Sequence, residues 1–337
     1  YVDVALDSII TYAITVGASD IHFDPILNGI QVRLRIDGLL TEYMLVDATD
    51  ADMLVNRIKV FSGMDISEKR LPQDGRWEWS VKSYAVTMRV SSLPSLYGEA
   101  IVCRLMGNEG VHKNLLELGM DVELQEKIAA LLKRPYGLIT ICGPTGSGKT
   151  ATLYAMLRML NLKETKLICL EDPVEATIEG AIQIGINEKI GFTFSKGLRT
   201  VLRQDPDSIM IGEIRDNETA QLAVKAALTG HRVITTVHTN TALGVIGRLV
   251  DMGVEPYLLH ATLIGSLSQR LVRRIDSTTH SYQGRLGLFE YLEIPFSDID
   301  WDHVEQYMFT SLQDSAHLAI NSGITTLEEV HRAGILL

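Results

Sequence analysis

The nine residues CGPTGSGKT, Cys142–Thr150, lie between the apolar run YGLITI and the helix-like segment ATLYAMLRML. From Gly143 onward they match the pattern G-x-x-x-x-G-K-[ST]. In such a loop the main-chain N–H groups point at phosphate oxygens, the lysine reaches the β and γ phosphates, and the hydroxyl holds Mg²⁺. A glycine-rich turn without nucleotide is the alternative, but an apolar run before the loop and a helical pattern after it favour a phosphate loop. The predicted nucleotide-binding residues are Gly143, Pro144, Thr145, Gly146, Ser147, Gly148, Lys149, Thr150 and Ala151.

Four short apolar runs predict the fold around this loop. They are LITICG, KLICLED, SIMIGEI and RVITTVH, separated by helical segments such as ETAQLAVKAALTG. Continuous apolar runs are typical of parallel strands that are covered on both faces. Residues 115–337 are therefore predicted to form an open α/β sheet with a site at the carboxyl ends of its strands. The C-terminal portion of this domain is expected to be mainly helical.

Carboxylates follow two of these strands. LICLEDPVEATIEG places Glu171, Asp172 and Glu175 after one strand, and SIMIGEIRD places Glu213 and Asp216 after the next. A carboxylate at a strand end can hold Mg²⁺ through water or polarise the attacking water. For any single carboxylate a helix N-cap is the alternative, and Asp172 before a proline fits that alternative. Two acidic segments beside a phosphate loop together favour a catalytic site.

A histidine follows the last of these strands. The segment RVITTVHTN offers His238 together with Thr236 and Thr239. This histidine could sense the γ phosphate or bridge to the water near Glu213. A structural histidine with satisfied hydrogen bonds is the alternative, and the spacing does not decide between the two.

The first part of the chain has a different pattern. DVALDSIITYAITVG and DADMLVNRIKVFSGM have helical spacing, whereas IQVRLRIDGLLTEYMLV alternates Val32, Leu34 and Ile36 with Arg33 and Arg35. GRWEWSV, YAVTMRVSSLP and EAIVCRLM are further alternating segments, which is typical of an antiparallel sheet with one solvated face. We therefore predict a first domain over residues 1–106, a linker over residues 107–114 and a second domain over residues 115–337.

Composition restricts the classes of protein. The chain has 337 residues and a formal net charge of -11, which disfavours a broad nucleic-acid track because phosphate binding needs clustered Lys and Arg. No apolar run is long enough to span a bilayer, and the start YVDVALDSII lacks the features of a signal peptide. We expect a cytoplasmic protein without direct nucleic-acid contact, and a segment upstream of Tyr1 is expected to be missing. Cys103, Cys142 and Cys169 lie in separate apolar runs, which predicts buried reduced thiols.

Four ordered segments resemble one family. They are the loop GPTGSGKT, the acidic segment EDPVE, the strand IMIGEIRD and the histidine segment TGHRVITTVHTNTA. The chain resembles the secretion ATPases of type II secretion and type IV pilus systems, and ASDIHFDP, RVSSLP and GITTLEEVHR extend the resemblance over nearly the whole length. RLPQDGR and TTLEEVHR are similar to the assembly branch, including the short competence-type ATPases of DNA uptake.

The resemblance implies a RecA-like P-loop ATPase domain joined to a smaller PAS-like α/β N-terminal domain. It implies a homo-hexamer in the cytoplasm that uses ATP and Mg²⁺ and acts on an inner-membrane platform protein, which adds pilin or pseudopilin subunits to a filament. Association with the membrane would then occur only through partners. The rival classes are a nucleotide-gated scaffold without turnover and a metabolic P-loop kinase.

The resemblance also implies roles for individual residues. Glu175 and Glu213 match the two catalytic carboxylates, and Thr150 with Glu213 matches the metal site. Arg89 and Arg104 match two arginines that reach the phosphates when the domains close, although alternation alone makes them solvated charges on a sheet face. The family's four-cysteine zinc module has no counterpart in LSQRLVRRIDSTTHSYQGRLGLFE, so zinc is not expected.

Overall fold

The computed structural model describes residues 2–81, 84–106 and 111–337, and the side chains from residue 5 onward. The chain divides into two units, Tyr1–Glu109 and Gly110–Leu337. Residues 107–110 of the predicted linker lie outside the described residues. Val111, which was also predicted to belong to the linker, is instead buried in the core of the second unit.

The first unit combines helices with a single antiparallel sheet. In chain order its elements are α1 (Val2–Thr15), β1 (Asp20–Ile26), β2 (Gly29–Ile36), β3 (Leu39–Asp47), α2 (Ala48–Phe61), β4 (Gln73–Val81), β5 (Tyr84–Ser95) and β6 (Gly98–Met106). The strand order is β3-β2-β1-β6-β5-β4, and every neighbouring pair is antiparallel.

The two faces of this sheet differ, as the alternation predicts. Val32 and Leu34 are buried in a core that includes Leu6 of α1 and Ile58 of α2, whereas Arg35 is half-buried on the other face. Burying alternate apolar side chains stabilises such a sheet by about 25 cal/mol for each Å² of apolar surface removed from water.

The second unit is a larger α/β layer structure. In chain order its elements are α3 (Val122–Leu132), β7 (Gly137–Cys142), α4 (Lys149–Leu157), β8 (Leu167–Glu171), β9 (Ile182–Gly185), α5 (Phe194–Val201), β10 (Ser208–Ile211), α6 (Asn217–Leu228), β11 (Arg232–Val237), α7 (Gly244–Asp251), α8 (Pro256–Thr262), β12 (Leu263–Ile275), β13 (Tyr282–Glu293), β14 (Met308–Thr310), α9 (Leu312–Asn321) and α10 (Leu327–Arg332). No helix in the described part of the chain is both long and apolar enough to cross a membrane.

The sheet of the second unit brings distant segments to one edge. Its strand order is β14-β13-β12-β7-β11-β10-β8-β9, and the neighbours from β12 to β9 are parallel. Every residue of β7, β8, β10 and β11 is buried. Helices α3 and α4 pack on one face and α5 to α8 on the other, which confirms that the apolar runs are strands covered on both sides.

The prediction of a mainly helical C-terminal portion is wrong. β12 and β13 are strands of 13 and 12 residues that pair antiparallel and extend the sheet beyond β7. The sequence did not predict β12 because polar residues interrupt the apolar run that a central strand normally shows. These residues, which are buried, are Ser266, Ser268 and Gln269.

The C-terminal helices are attached to this hairpin by a buried carboxylate. Glu329 of α10 is 1% exposed, and it accepts hydrogen bonds from the side chains of Arg273 on β12 and Arg332 on α10. Burial alone would raise the pKa of the Glu329 carboxyl, but the hydrogen bonds from Arg273 and Arg332 outweigh burial and lower the pKa to about 2. This explains why the segment GITTLEEVHR carries a glutamate at this position.

We predict that Glu329→Gln lowers the free energy of unfolding at pH 7 by about 3 kcal/mol. Because the folded pKa lies below the reference value of 4.5, the ionised carboxyl stabilises the fold above pH 4.5, and this contribution is lost as the pH falls toward 2. Urea unfolding of both proteins between pH 7 and pH 3 should show the difference shrinking. Glu328→Gln, at an exposed neighbouring position, is the control, and equal stability of wild type and Glu329→Gln at pH 7 would contradict the prediction.

Candidate functional site

The loop between β7 and α4 has the backbone geometry of a phosphate loop. Gly143, Gly146 and Gly148 have φ angles of 142°, 77° and 89°, which glycine adopts at low cost. Gly148 is the N-cap of α4, and the helix begins at Lys149. The loop therefore sits at a helix N-terminus, where main-chain N–H groups lack partners within the helix and favour anions.

Lys149 is held against this loop. It is 9% exposed, and its ammonium donates to the carbonyl oxygens of Gly143 at 2.8 Å and Pro144 at 2.9 Å. Burial lowers the pKa of Lys149, and the negative charge of Glu213 opposes that shift. The positive charge is thus held at the loop itself.

The remaining loop residues divide into exposed and buried ones. Pro144, Thr145, Gly146 and Thr150 are exposed, whereas Ser147 is buried and Ala151 is half-buried in the first turn of α4. The Ser147 hydroxyl is buried without a hydrogen-bond partner among the described residues. Such an orphaned group needs an explanation, since buried polar atoms are nearly always paired.

The acidic segment begins with a buried carboxylate. Glu171, the last residue of β8, is 3% exposed and accepts hydrogen bonds from the Tyr154 hydroxyl and from Gln183 Nε2, the latter at 2.9 Å. Burial raises the pKa of the Glu171 carboxyl. Glu175 lies four residues further on and is half-buried, and its charge contributes to raising the pKa of Glu171.

Two of the other strand-end carboxylates have structural partners. Asp172, for which a helix N-cap was the alternative, caps no helix, because β8 is followed by irregular chain up to β9. Its Oδ2 lies 3.9 Å from Arg215 Nη1. Asp216, by contrast, is the N-cap of α6 and accepts from the Thr219 amide at 2.8 Å. We therefore assign Asp216 a capping role.

Glu213 is the centre of the site at the end of β10. One carboxylate oxygen pairs with Arg215 Nη2, and the other lies 3.3 Å from His238 Nε2. The Glu213 side chain is 18% exposed and that of His238 46%. The predicted residues Lys149, Glu213 and His238 thus belong to neighbouring segments of one sheet edge. Sequence reasoning missed Arg215, although it lies within the segment IMIGEIRD.

Side chains from β12 and β13 anchor the loop after His238. Arg270 is buried and donates through Nη2 to the carbonyl oxygen of Asn240 at 2.8 Å. Glu290, also buried, accepts from the amide of Ala242 at 2.5 Å. The flanking segments SQRL and GLFE therefore shape the histidine loop, which their spacing in the sequence could not reveal.

Arg89 and Arg104 lie next to each other on the polar face of the first unit's sheet. They occupy opposite positions on β5 and β6, and both are exposed. Arg104 Nε donates to Oδ1 of Asp20 at 2.8 Å, and Arg35 Nε lies 3.9 Å from the other oxygen of this buried carboxylate. Asp20, in the segment ASDIHFDP, therefore fixes the guanidinium of Arg104.

The three cysteines are free and buried, as predicted. Burial raises the pKa of the Cys103 thiol to about 12. Within residues 2–81, 84–106 and 111–337, no cluster of three or more His, Cys, Asp and Glu side chains could hold a metal ion.

A phosphate loop at the carboxyl edge of a parallel sheet defines a RecA-like P-loop domain, here preceded by a smaller α/β domain. The family model described as "Type II/IV secretion system protein" matches residues 1–332, and the chain belongs to this family. The resemblance drawn from the four ordered segments is confirmed.

Individual relatives agree with this assignment. The type II secretion system protein E of Klebsiella pneumoniae is 49% identical over 270 residues, which are 80% of this chain and 54% of that protein. The type II secretion system ATPase E of Vibrio cholerae is 40% identical over 372 aligned positions, 97% of this chain and 74% of the relative. The chain spans about half the length of several of these curated relatives.

Solved structures share the fold. The pilus retraction motor PilT with bound ADP superposes with a TM-score of 0.68 and 29% identity, covering 96% of this chain and 95% of that chain. The Legionella pneumophila ATPase DotB gives a TM-score of 0.77 at 23% identity, covering 98% and 95%. The DotB comparison supports the fold alone.

We predict that Gly143→Ala destabilises the protein more than Gly146→Ala. Both positions have positive φ, which costs an alanine about 1–3 kcal/mol. At Gly143 a β-carbon would also lie 2.6 Å from the carbonyl oxygen of Gln269 and 2.6 Å from the Ser147 hydroxyl, whereas nothing lies within 4 Å at Gly146. Urea midpoints measure both effects, and equal midpoints for the two variants would contradict the role of Gly143 in close packing.

Proposed function

We propose that this chain is an ATP hydrolase that works with Mg²⁺ as the motor of a secretion machine. The observation that carries the proposal is the arrangement of Lys149, Glu213 and His238 at one edge of the parallel sheet. A lysine on a phosphate loop and a carboxylate at another strand end of the same sheet edge form the arrangement that phosphoryl-transfer chemistry needs. Membership in the type II/IV secretion family supports it.

The residues fit a nucleotide. The glycine loop has positive φ at three positions, and the N-terminus of α4 follows it directly. The buried hydroxyl of Ser147, which has no partner among the described residues, offers a further polar group at the loop. The relative PilT has been solved with ADP, which supports a nucleotide as the ligand here.

The residues also fit Mg²⁺. This ion is usually held by one or two protein oxygens together with water and phosphate, so a cluster of three protein ligands is not required. Thr150 is exposed at the start of α4 and would hold the metal, with Glu213 in contact with it directly or through water. When bound, the metal would neutralise charge that develops on the phosphate oxygens.

Each predicted site residue then has a task. Lys149 binds the β and γ phosphates, Glu175 and Glu213 orient water and metal, and His238 links the γ phosphate to the sheet. Arg215 holds one oxygen of Glu213, which leaves the oxygen beside His238 for the reacting centre. Zinc has no role in this proposal.

We propose that Arg89 and Arg104 complete this site when the two domains close, in a ring of six subunits. Their support is geometric, since they lie side by side on one sheet face and Asp20 orients Arg104. An arginine that reaches the transferred phosphate can raise the rate by about three to five powers of ten. Hydrolysis would then depend on closure.

The machine that we propose is a type II secretion system, in which the motor drives assembly of pseudopilins through an inner-membrane platform protein. Relatives named type II secretion system protein E or ATPase E are 40–49% identical to this chain, whereas PilT is 29% identical. We therefore favour secretion over pilus or competence function. The proposed location is cytoplasmic, with recruitment to the inner membrane through partners.

We predict that Glu213→Gln lowers the rate of phosphate release from ATP by about 100-fold or more, because the variant loses the carboxylate at the end of β10 that would orient water and metal. Glu305→Gln, which removes an exposed charge from the same unit, should keep the wild-type rate. Equal and negligible rates in wild type and Glu213→Gln would favour a nucleotide-gated scaffold. Phosphoryl transfer to a small acceptor would instead identify a kinase.

We predict that Arg104→Ala retains ATP binding but loses at least about 90% of turnover. The matched control is Arg33→Ala, which removes an arginine from the same sheet that also pairs with an aspartate of β1, Asp24, at 2.8 Å. Equilibrium binding of a fluorescent ATP analogue and steady-state phosphate release separate the two effects. An unchanged kcat in Arg104→Ala would remove this arginine from the site.

A further inference from the structure

A buried tyrosine on the phosphate-loop helix has polar contacts that packing alone does not explain. Tyr154 lies in α4, four residues after Thr150, and is 1% exposed. Residues four apart share one face of an α-helix, so Tyr154 follows Thr150 by one turn on the same side. Its position is therefore coupled directly to the start of the helix that carries Lys149 and Thr150.

The Tyr154 hydroxyl uses its full hydrogen-bonding capacity. It donates to Oε2 of Glu171 and accepts from the main-chain amides of Glu175 at 3.1 Å and Ala176 at 3.3 Å. A tyrosine hydroxyl has one donor and two acceptor sites, all of which are used here. Burial raises the pKa of the phenol, so the hydroxyl remains protonated and able to donate at neutral pH.

A glutamine from β9 completes this arrangement. Gln183 Nε2 donates to Glu171 Oε1 at 2.9 Å and to the carbonyl oxygen of Ala176 at 2.8 Å, and Gln183 Oε1 accepts from the amide of Ile178 at 2.8 Å. The chain between Glu171 and Ile182 forms no helix or strand. Side-chain hydrogen bonds, rather than a sheet ladder, therefore fix the backbone of residues 175–178.

We propose that Tyr154 is a positioning residue for Glu175, which ties the acidic segment to the phosphate-loop helix. This inference rests on the proposed function, in which Glu175 orients water or metal. The Tyr154 hydroxyl binds the main-chain amide of Glu175 itself, so the backbone that carries the Glu175 side chain is held to the helix that begins with Lys149 and Thr150. Glu171 acts from the other side, as the buried acceptor that orients the phenol. Tyr154 itself touches no reacting atom.

The test removes a single oxygen atom. Tyr154→Phe keeps the ring and loses the hydroxyl, and Tyr291→Phe is the matched control. Tyr291 is also fully buried, but its hydroxyl makes no hydrogen bond with any described residue. We expect Tyr154→Phe to lower kcat for ATP hydrolysis about 10- to 100-fold with KM for ATP within about twofold, because small displacements of a catalytic group carry costs of this size. Tyr291→Phe should change neither constant.

A double-mutant cycle separates positioning from general packing. If Tyr154 acts through Glu175, Tyr154→Phe should have no further effect on kcat in a Glu175→Gln background. A loss in that background as large as in the wild type would show that the phenol acts independently of Glu175, and would overturn the proposal. The Tyr291→Phe change in the same background controls for the stability of the core.

Amide exchange tests the tether, by which we mean the hydrogen bonds from the amides of Glu175 and Ala176 to the Tyr154 hydroxyl. This measurement does not require ATP turnover. Loss of the acceptor should accelerate hydrogen–deuterium exchange of the amides of Glu175 and Ala176 in Tyr154→Phe and leave it unchanged in Tyr291→Phe. Unchanged exchange in Tyr154→Phe would overturn the tether, whatever the enzyme activity. If exchange is accelerated in Tyr154→Phe but the wild-type protein releases no phosphate from ATP, the proposed function is refuted. The tether is then still supported.

Discussion

The site depends on the parallel pairing of four strands that are buried on both faces. β7, β11, β10 and β8 are neighbours in this order, and all of their residues are buried. Parallel strands end at the same edge, so segments far apart in the chain meet there. Lys149, Glu213 and His238 lie on three separate segments of the chain. Without the parallel pairing these segments would not meet at one edge of the sheet.

Buried polar side chains give the loops at this edge their shape. Tyr154 and Gln183 bind the backbone of the acidic segment, and Arg270 and Glu290 bind the loop after His238. Burying such groups costs free energy unless hydrogen bonds compensate. Each of these side chains forms hydrogen bonds with main-chain atoms of a loop. The hydrogen bonds that compensate for burial therefore also fix the loops. In this way the rigidity of the sheet is extended to segments that have no ladder of their own.

The sequence predicted the parts of the fold whose pattern is local. Continuous apolar runs predicted β7, β8, β10 and β11, and alternation predicted the antiparallel sheet of the first unit. The prediction failed at β12, where Ser266, Ser268 and Gln269 are buried although they are polar. It also gave no reason to select Tyr154, since a tyrosine in an apolar helical segment is typical of a core residue. The proposed role of Tyr154 depends on hydrogen bonds with Glu171 and Glu175, which form only in the folded chain.

The geometry at Glu213 limits how this carboxylate can act. Both of its oxygens already have a basic neighbour, Arg215 on one and His238 on the other. A carboxylate that is to orient water must release one of these contacts or share it. The contact with His238 is the longer one, at 3.3 Å, and its imidazole is 46% exposed, whereas Arg215 is also drawn toward Asp172. In the proposed function, the oxygen beside His238 is therefore the one that can exchange its partner for water, while the pairing with Arg215 keeps the carboxylate oriented.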